Sequence, residues 1–244
     1  MEPPEGALNM NIDAIKKELD HFERVKKDLL QSDKGKIALI KGETLVGTFT
    51  TLEEAYTEGV RRFGKDPFLI KPILEVEQVQ TIPALSARLI HADLNRFWLN
   101  PQTNQPNPGL LTDRGPALAV EITLPDNYAQ VLTQASIPIP QPQAGTALID
   151  TGARFTAVDI GTLQQLGLPP VSAVQVVTPS GRQQQGVYMC RIVFPGTAIP
   201  PLQPIAVTGS QLAPFGHIAL IGRDMLSHGL LVYDGLHGMW TIAF

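Results

Sequence analysis

The sequence contains a single cysteine, Cys190, so the chain can form no intramolecular disulfide, thiolate metal site or Cys-x-x-Cys redox motif. It also lacks any apolar run close to the ~20 residues that a membrane span needs. Residues 1–10 are polar and contain proline, without the apolar core of a secretion signal. These absences predict a cytoplasmic protein in a reducing compartment, with no membrane partner.

Clustered positive charge is scarce as well. The formal net charge is −4, and the lysines and arginines are scattered apart from short pairs such as Lys26-Lys27 and Arg61-Arg62. A nucleic-acid interface normally requires a basic patch or stripe on one face. The composition therefore argues against a nucleic-acid partner.

Several catalytic motifs are missing. The chain has no His-Glu-x-x-His, no Gly-x-Ser-x-Gly and no phosphate-binding glycine loop. Its histidines have no ligand spacing and are interpreted as surface or core-edge residues: His21, His91, His217, His228 and His237. Trp98 and Trp240 are interpreted as packing residues. No metal and no cofactor is expected.

The chain does contain enough apolar residues, 43% of 244, to build folded domains. After a flexible tail at 1–10, an amphipathic helix is predicted from an N-cap at Asn11 to a stop at 32–35. Apolar residues recur in it at the spacing of a helix face: Ile12, Ile15, Leu19, Phe22, Val25 and Leu29.

A hairpin, a second helix and a strand are predicted next. Apolar runs at 37–40 and 45–49 flank a short glycine-containing turn. Thr51 and Glu54 form a capping-box pattern for a helix over 51–63, and residues 68–74 can return as a strand beside the hairpin. Residues 37–73 resemble a small uncharacterised prokaryotic domain, and this resemblance implies no particular activity. A small α+β domain is predicted over 11–80.

The composition changes over 81–115, where prolines and asparagines are frequent. Residues 100–109 are expected to be irregular, and a linker is predicted over 81–115. A helix within 85–99 that packs on either neighbour is a further possibility.

Short apolar runs between Pro, Gly, Asn and Asp clusters characterise residues 116–244. They predict a closed, mostly antiparallel β-domain, so that the whole chain is multidomain, with an α+β unit followed by a mainly-β barrel. The one helical signal recognised in this region is a single turn over 224–229.

The candidate chemistry begins at Asp150, which ends the apolar strand 147–149 and precedes Thr151 and Gly152. A carboxylate at the end of a buried strand is costly without hydrogen-bond partners. Thr151 can donate such a bond, and Gly152 lets the backbone approach closely. By itself, however, the tripeptide also fits an ordinary turn that contains an aspartate.

A second segment, 219–226, places Ala-Leu-Ile before Gly222-Arg223-Asp224 and a short helical turn. Together the two segments resemble the retroviral-type, or retropepsin-like, aspartic peptidases. The resemblance covers about 116–244. It implies an acid-protease barrel in which Asp150 is catalytic with Thr151 and Gly152, and in which residues 222–224 support the site.

The same resemblance implies a flap that closes over bound peptide. Its strands would be 174–177 and 187–189, and its tip 178–182. Substrate contacts are then expected from Ala153 and Arg154 and from the tip residues Pro179, Ser180 and Gly181. An ordinary surface hairpin is the alternative interpretation of this segment.

Aspartic peptidases in general use two carboxylates that share one proton. The chain has one Asp-Thr-Gly, and Asp113-Arg114-Gly115 lacks the hydroxyl residue. A homodimer that contributes Asp150 from each copy is therefore expected. The apolar final strand, 239–244, is expected to help form the dimer. Deletion of 240–244 is therefore expected to remove both the dimer and the activity.

One position departs from the family. Arg223 would usually pair with an acid four residues after the catalytic aspartate, but this chain has Arg154 there. Arg154 can pair with Asp224 or face the substrate and favour acidic side chains. The predicted function is a homodimeric aspartic endopeptidase acting on peptides or proteins, with Asp150-activated water. There are two alternatives. One is a non-catalytic peptide-binding or dimerisation module, and the other is an enzyme attached to an N-terminal adaptor.

Overall fold

A computed structural model describes residues 12–75, 94–97, 107–178 and 181–243. The predicted tail at 1–10, its neighbour Asn11 and Trp98 lie outside these ranges, as does most of the predicted linker. The described chain is an α+β protein of mainly β content with one large mixed sheet. None of its described helices is both long and apolar enough to cross a membrane.

The N-terminal unit has the predicted order of elements. A 3-10 turn at Asp13–Ile15 leads into helix α1 (Lys16–Ser32), and strands β1 (Ile37–Lys41) and β2 (Thr44–Phe49) form the hairpin. Helix α2 (Leu52–Phe63) follows, and β3 (Leu69–Pro72) returns antiparallel to β1. The predicted helices, hairpin and returning strand are confirmed.

Helix α2 shows how local sequence sets these boundaries. The Thr51 hydroxyl accepts a hydrogen bond from the Glu54 backbone N–H at 3.1 Å, and the Glu54 carboxylate accepts one from the Thr51 N–H at 3.2 Å. These bonds satisfy N–H groups that have no partner within the helix. Gly64 ends the helix with φ +57°, a conformation that glycine adopts without a steric penalty.

The larger part of the protein is a closed barrel of six described strands: β5 (Ala117–Thr123), β6 (Gln143–Ile149), β7 (Ala157–Asp159), β9 (Gly181–Val193), β10 (Leu202–Ser210) and β11 (Ala219–Ile221). The ring runs β10-β7-β11-β6-β5-β9 and closes because β9 also pairs with β10. Two pairs, β10–β7 and β11–β6, are parallel, and the other neighbours are antiparallel. The expectation of a closed, mostly antiparallel domain is confirmed.

Strand β8 (Ser172–Thr178) lies outside the ring and pairs with β9 as a hairpin. The last described pair of the hairpin places Thr178 opposite Gly181. The hairpin is longer than the predicted strands 174–177 and 187–189. Pro179 and Ser180 lie outside the described residues.

Helices in the barrel half were under-predicted. The short turn α6 (Arg223–Leu226) lies where one was expected, but α4 (Asp126–Gln134) and α5 (Ile160–Gln165) were missed. Helix α3 (Pro108–Arg114) begins inside the segment that was expected to be irregular. The Asn107 side chain accepts bonds from the N–H groups of Gly109 and Leu110, so Asn-Pro is a helix start here.

The chain ends in a second sheet, in which β13 (Met239–Ala243) lies between β12 (Leu230–Asp234) and β4 (Leu94–Phe97). Residues 94–97 are thus a strand and not part of a helix. Trp240 is 1% exposed and Ile242 is 3% exposed, so the last strand is packed within its own chain. This confirms Trp240 as a packing residue.

The two halves share one hydrophobic core. Tyr56 and Phe68 of the N-terminal unit belong to the same buried cluster as Tyr128 and Tyr188 of the barrel half. The Ile70 N–H also donates to the Val171 carbonyl, just before β8, at 2.8 Å. The two halves therefore pack against each other without a break in the core. We propose 11–80 and 116–244 as two units of the sequence, not as two separately packed bodies.

Candidate active site

Asp150 stands at the end of a strand that is held on both sides. Strand β6 ends at Ile149, whose N–H donates to the Pro116 carbonyl at 2.8 Å. The Asp150 N–H donates to the Ile221 carbonyl of β11 at 3.0 Å. Because both neighbouring segments belong to the barrel, the backbone of Asp150 has little freedom to move.

The carboxylate of Asp150 is oriented by the loop that follows it. Its Oδ1 accepts hydrogen bonds from the N–H of Gly152 at 2.7 Å and of Ala153 at 3.1 Å. Within the described part of the chain, Oδ2 receives no hydrogen bond. A Cβ on residue 152 would lie 3.0 Å from Oδ1, so glycine permits this close turn. One oxygen is therefore held in place, and the other remains available for chemistry.

Arg223 holds the same loop from the far side. Its Nη1 donates to the Thr151 carbonyl at 2.7 Å and contacts the Gly152 carbonyl at 3.3 Å. Its backbone N–H donates to the Ala153 carbonyl at 3.0 Å. The guanidinium thus binds the backbone of the loop that follows Asp150.

Asp224 is bonded to Thr156. Both of its carboxylate oxygens lie 2.9 Å from the Thr156 N–H, and Oδ1 also accepts from the Thr156 hydroxyl at 2.8 Å. That hydroxyl accepts a bond from the Gly222 N–H at 3.2 Å. The Met225 N–H also donates to Oδ1 of Asp224 at 2.9 Å, so the described donors to this carboxylate include Thr156 and Met225.

Gly222 has a steric role that any side chain would disrupt. A Cβ there would lie 2.4 Å from the carbonyl carbon of Phe155 and 2.8 Å from the Thr156 nitrogen. These are backbone atoms in the segment after the Asp150 loop, and they cannot rotate away. The close crossing of 222 over 155–156 therefore requires glycine.

We expect Gly222→Ala to lower the free energy of unfolding by about 3 kcal/mol or more, because the backbone must shift to admit the methyl group. Gly47→Ala is the matched control, since its Cβ would meet only the Phe49 ring at 3.5 Å, an ordinary contact. Urea unfolding of both variants followed by circular dichroism measures the difference. Equal stability of the two variants would contradict the crossing described here.

A cleft of about 400 Å³ lies between the Asp150 loop and the β8–β9 hairpin. The loop contributes residues 152–155 and the hairpin contributes Gln175, Val176 and Gln185. The remaining lining residues come from the barrel and α6: Ala157, Thr208, Ser210, Leu220 and Arg223. The structure therefore places Ala153 and Arg154 opposite the hairpin strands that were interpreted as a flap.

A second cavity, of about 770 Å³, lies on the Asp150 side of the loop. Asp150 lines this cavity together with Asp113, Phe215 and His217. Phe215 is 75% exposed. Burial lowers the pKa of the His217 imidazole, so it is uncharged at neutral pH. Leu220 lines both cavities, so the Asp150 loop borders a flap-side cleft and a second opening that lie next to each other.

Asp159 is a buried carboxylate that sequence analysis did not single out. Its Oδ1 accepts bonds from the N–H groups of Leu212 and Ala213, both at 2.9 Å, and Oδ2 accepts from Thr162 at 3.2 Å. These bonds cap α5 and fix the start of the loop that carries Phe215. An aspartate that ends an apolar strand just before a helix was the signal that could have identified it.

The described residues contain no group of three or more His, Cys, Asp and Glu side chains that could hold a metal ion. The described polar groups around Asp150 include backbone N–H groups, the arginine that binds the loop, and Asp113 and His217 of the shared cavity. This arrangement is suited to proton transfer to and from a positioned carboxylate.

Comparison with known proteins finds a distant structural neighbour. No protein-family model matches the chain, and no curated protein matches it. Among solved structures, the chain is similar to a retropepsin-like aspartic protease from Rickettsia conorii. The identity is 11% and the TM-score 0.34, covering 66% of this chain and 97% of that one.

Proposed function

We propose that the protein is a homodimeric aspartic endopeptidase of the retropepsin-like type, in which each copy contributes Asp150. The observation that carries the proposal is the Asp150 carboxylate itself. One oxygen is clamped by the N–H groups of Gly152 and Ala153, the other accepts no bond from a described residue, and a flap-side cleft adjoins the loop. A purely structural aspartate, such as Asp159, has bonds to both oxygens.

The reaction requires two such carboxylates and one water molecule. The ionised carboxylate takes a proton from the water, whose oxygen forms a bond to the carbonyl carbon of the peptide. The protonated carboxylate of the other copy gives its proton to the carbonyl oxygen. The intermediate then collapses: the carbon–nitrogen bond breaks, the amine leaves with a proton from the dyad, and one hydroxyl of the intermediate returns a proton to the dyad as the product carboxyl group forms. No metal or cofactor takes part.

A second copy is proposed because the sequence contains a single Asp-Thr-Gly, while the reaction needs two such carboxylates. Asp113 lines the same cavity, but it is exposed, lies in the last turn of α3 and is followed by Arg114 where the motif has a hydroxyl residue. Strand β12 and the turn after it expose large apolar side chains, with Leu230 64% and Leu236 81% exposed. A second copy that covered this surface would remove it from water.

The other residues take supporting roles in this proposal. Thr151 and Gly152 complete the catalytic loop, and Gly222, Arg223 and Asp224 hold it in place. Ala153, Arg154 and the hairpin with its tip at Pro179, Ser180 and Gly181 contact the bound peptide. A cytoplasmic location suits the one cysteine, Cys190, whose buried thiol has a pKa raised by desolvation and is unreactive.

The direct test is to incubate the purified chain with a diverse peptide mixture and to identify new termini by mass spectrometry. We expect internal cleavage at a limited set of sites. A preparation that binds peptides from the mixture without cutting them would instead support the non-catalytic binding module.

We expect activity to be highest at acidic pH. Two carboxylates about 3 Å apart share one proton, and the mechanism uses that proton to polarise the carbonyl. As pH rises the pair loses this proton, so the active form disappears. Measuring kcat/KM for one substrate from about pH 3 to about pH 9 should show a fall through neutrality. A rate that continues to rise above neutral pH would argue for a different chemistry.

A further inference from the structure

We propose that Arg154 selects peptides that carry an aspartate or glutamate side chain beside the scissile bond. This inference rests on the proposed function, because it assigns the substrate class of the same cleft. Of the two roles considered for Arg154 from the sequence, it develops contact with an acidic substrate side chain.

The position of Arg154 suits this role. It is an exposed residue of the cleft wall, four positions after Asp150 and directly after the loop N–H groups that clamp the carboxylate. Its guanidinium carbon lies 5.4 Å from the centre of the Phe155 ring, which is only 8% exposed. Stacking on a buried ring limits the freedom of the guanidinium, so less entropy is lost when it binds a ligand.

The charges around the cleft have one sign. The charged side chains among its described lining residues are Arg154 and Arg223, and no carboxylate is among them. Arg223 already donates to the Thr151 and Gly152 carbonyls, which commits it to holding the loop. The hairpin sequence 172–193 contains no aspartate or glutamate. The charged side chains that line the cleft are therefore both positive, although the chain as a whole carries −4.

A carboxylate is the chemical group that this surface recognises best. A guanidinium can donate two parallel hydrogen bonds to a carboxylate, and such charged pairs are stronger than neutral ones. Gln175 and Gln185 add neutral hydrogen-bonding groups, and Val176 and Leu220 offer apolar contact for the methylenes of a glutamate. A lysine or arginine side chain in the same place would be repelled.

The test compares matched peptides. A sequence that the wild type cleaves is synthesised with Glu, Gln or Lys at each position flanking the scissile bond. Glu and Gln differ in charge but hardly in shape. We expect at least one position where Glu raises kcat/KM about tenfold over Gln, the size expected for one charged hydrogen-bonded contact. The preference should shrink as salt concentration rises.

Variants then assign the preference to one residue. Arg154→Gln should abolish the difference between the Glu and Gln peptides, and Arg154→Glu should favour the Lys peptide. The control is Arg191→Gln. Arg191 lies in β9, pairs with Asp126 at 2.8 Å and does not line the cleft. This control should keep the wild-type preference.

Two failures can be told apart. Equal cleavage of the Glu and Gln peptides at every position, or a preference retained in Arg154→Gln, overturns the role of Arg154 and leaves the peptidase intact. If no peptide is cleaved, the proposed function fails. In that case, fluorescence anisotropy measures the affinity of the protein for the labelled Glu and Gln peptides, which tests the charge preference by binding alone. Equal affinities overturn the proposed preference.

Discussion

Asp150→Asn is expected to lower peptidase activity by about a thousandfold or more, because an amide cannot take up and return the proton on which both chemical steps depend. The fold should be retained. Asparagine is nearly isosteric with aspartate, and its Oδ1 can still accept the bonds from Gly152 and Ala153. Cleavage of one substrate and a thermal unfolding curve, measured for the same preparations, separate the two effects.

Asp113→Asn is the matched control for this experiment. It makes the same chemical change to the other carboxylate that lines the Asp150 cavity. If Asp113 is only a surface residue, its variant keeps wild-type activity. Comparable loss in both variants would place the second carboxylate within one chain and remove the need for a dimer. Undiminished turnover by Asp150→Asn would eliminate the aspartic peptidase proposal.

Activity per chain is expected to collapse when the protein is diluted below the dissociation constant of the proposed dimer, because in the proposed site each monomer holds one of the two carboxylates. Sedimentation velocity and specific activity measured over one dilution series should fall together. A monomer with full specific activity would contradict the shared site. A dimer that persists without activity would instead favour the dimerisation module.

The exposed side of β12 offers a sharper way to break the dimer than removing the last strand. Deleting residues 240–244 would take away Trp240 and Ile242, which are buried in the core, so the fold would be lost along with the dimer. Leu230 is 64% exposed, and Leu230→Lys changes the surface without emptying the core. We expect this variant to be folded, monomeric and inactive.

Ile139→Lys controls for the general effect of such a change. Ile139 is 45% exposed, lies between α4 and β6 and belongs to neither the flap hairpin nor the C-terminal sheet. It should leave both the dimer and the activity unchanged. If Leu230→Lys behaves in the same way as Ile139→Lys, the second copy docks on another surface.

Sequence alone determined the elements whose signals are local. The capping pair Thr51 and Glu54 predicted the start of α2, and the apolar runs on either side of a glycine turn predicted the β1–β2 hairpin. The position of Asp150 at the end of an apolar strand was also readable, since a strand and its turn need only a few neighbouring residues. Capping, turn and periodicity signals act over about four residues, which is why they can be recognised without a structure.

Tertiary structure decided the features that join distant segments. The pairing of Leu94–Phe97 with the final strand brings together residues more than a hundred positions apart, and no local pattern specifies that partner. The bonds from Arg223 to the Asp150 loop, the buried role of Asp159 and the core shared by both halves arise in the same way. The conformational propensity of a residue influences how its own segment folds. The distant residues that it contacts depend on which other surface packs against that segment in the folded chain.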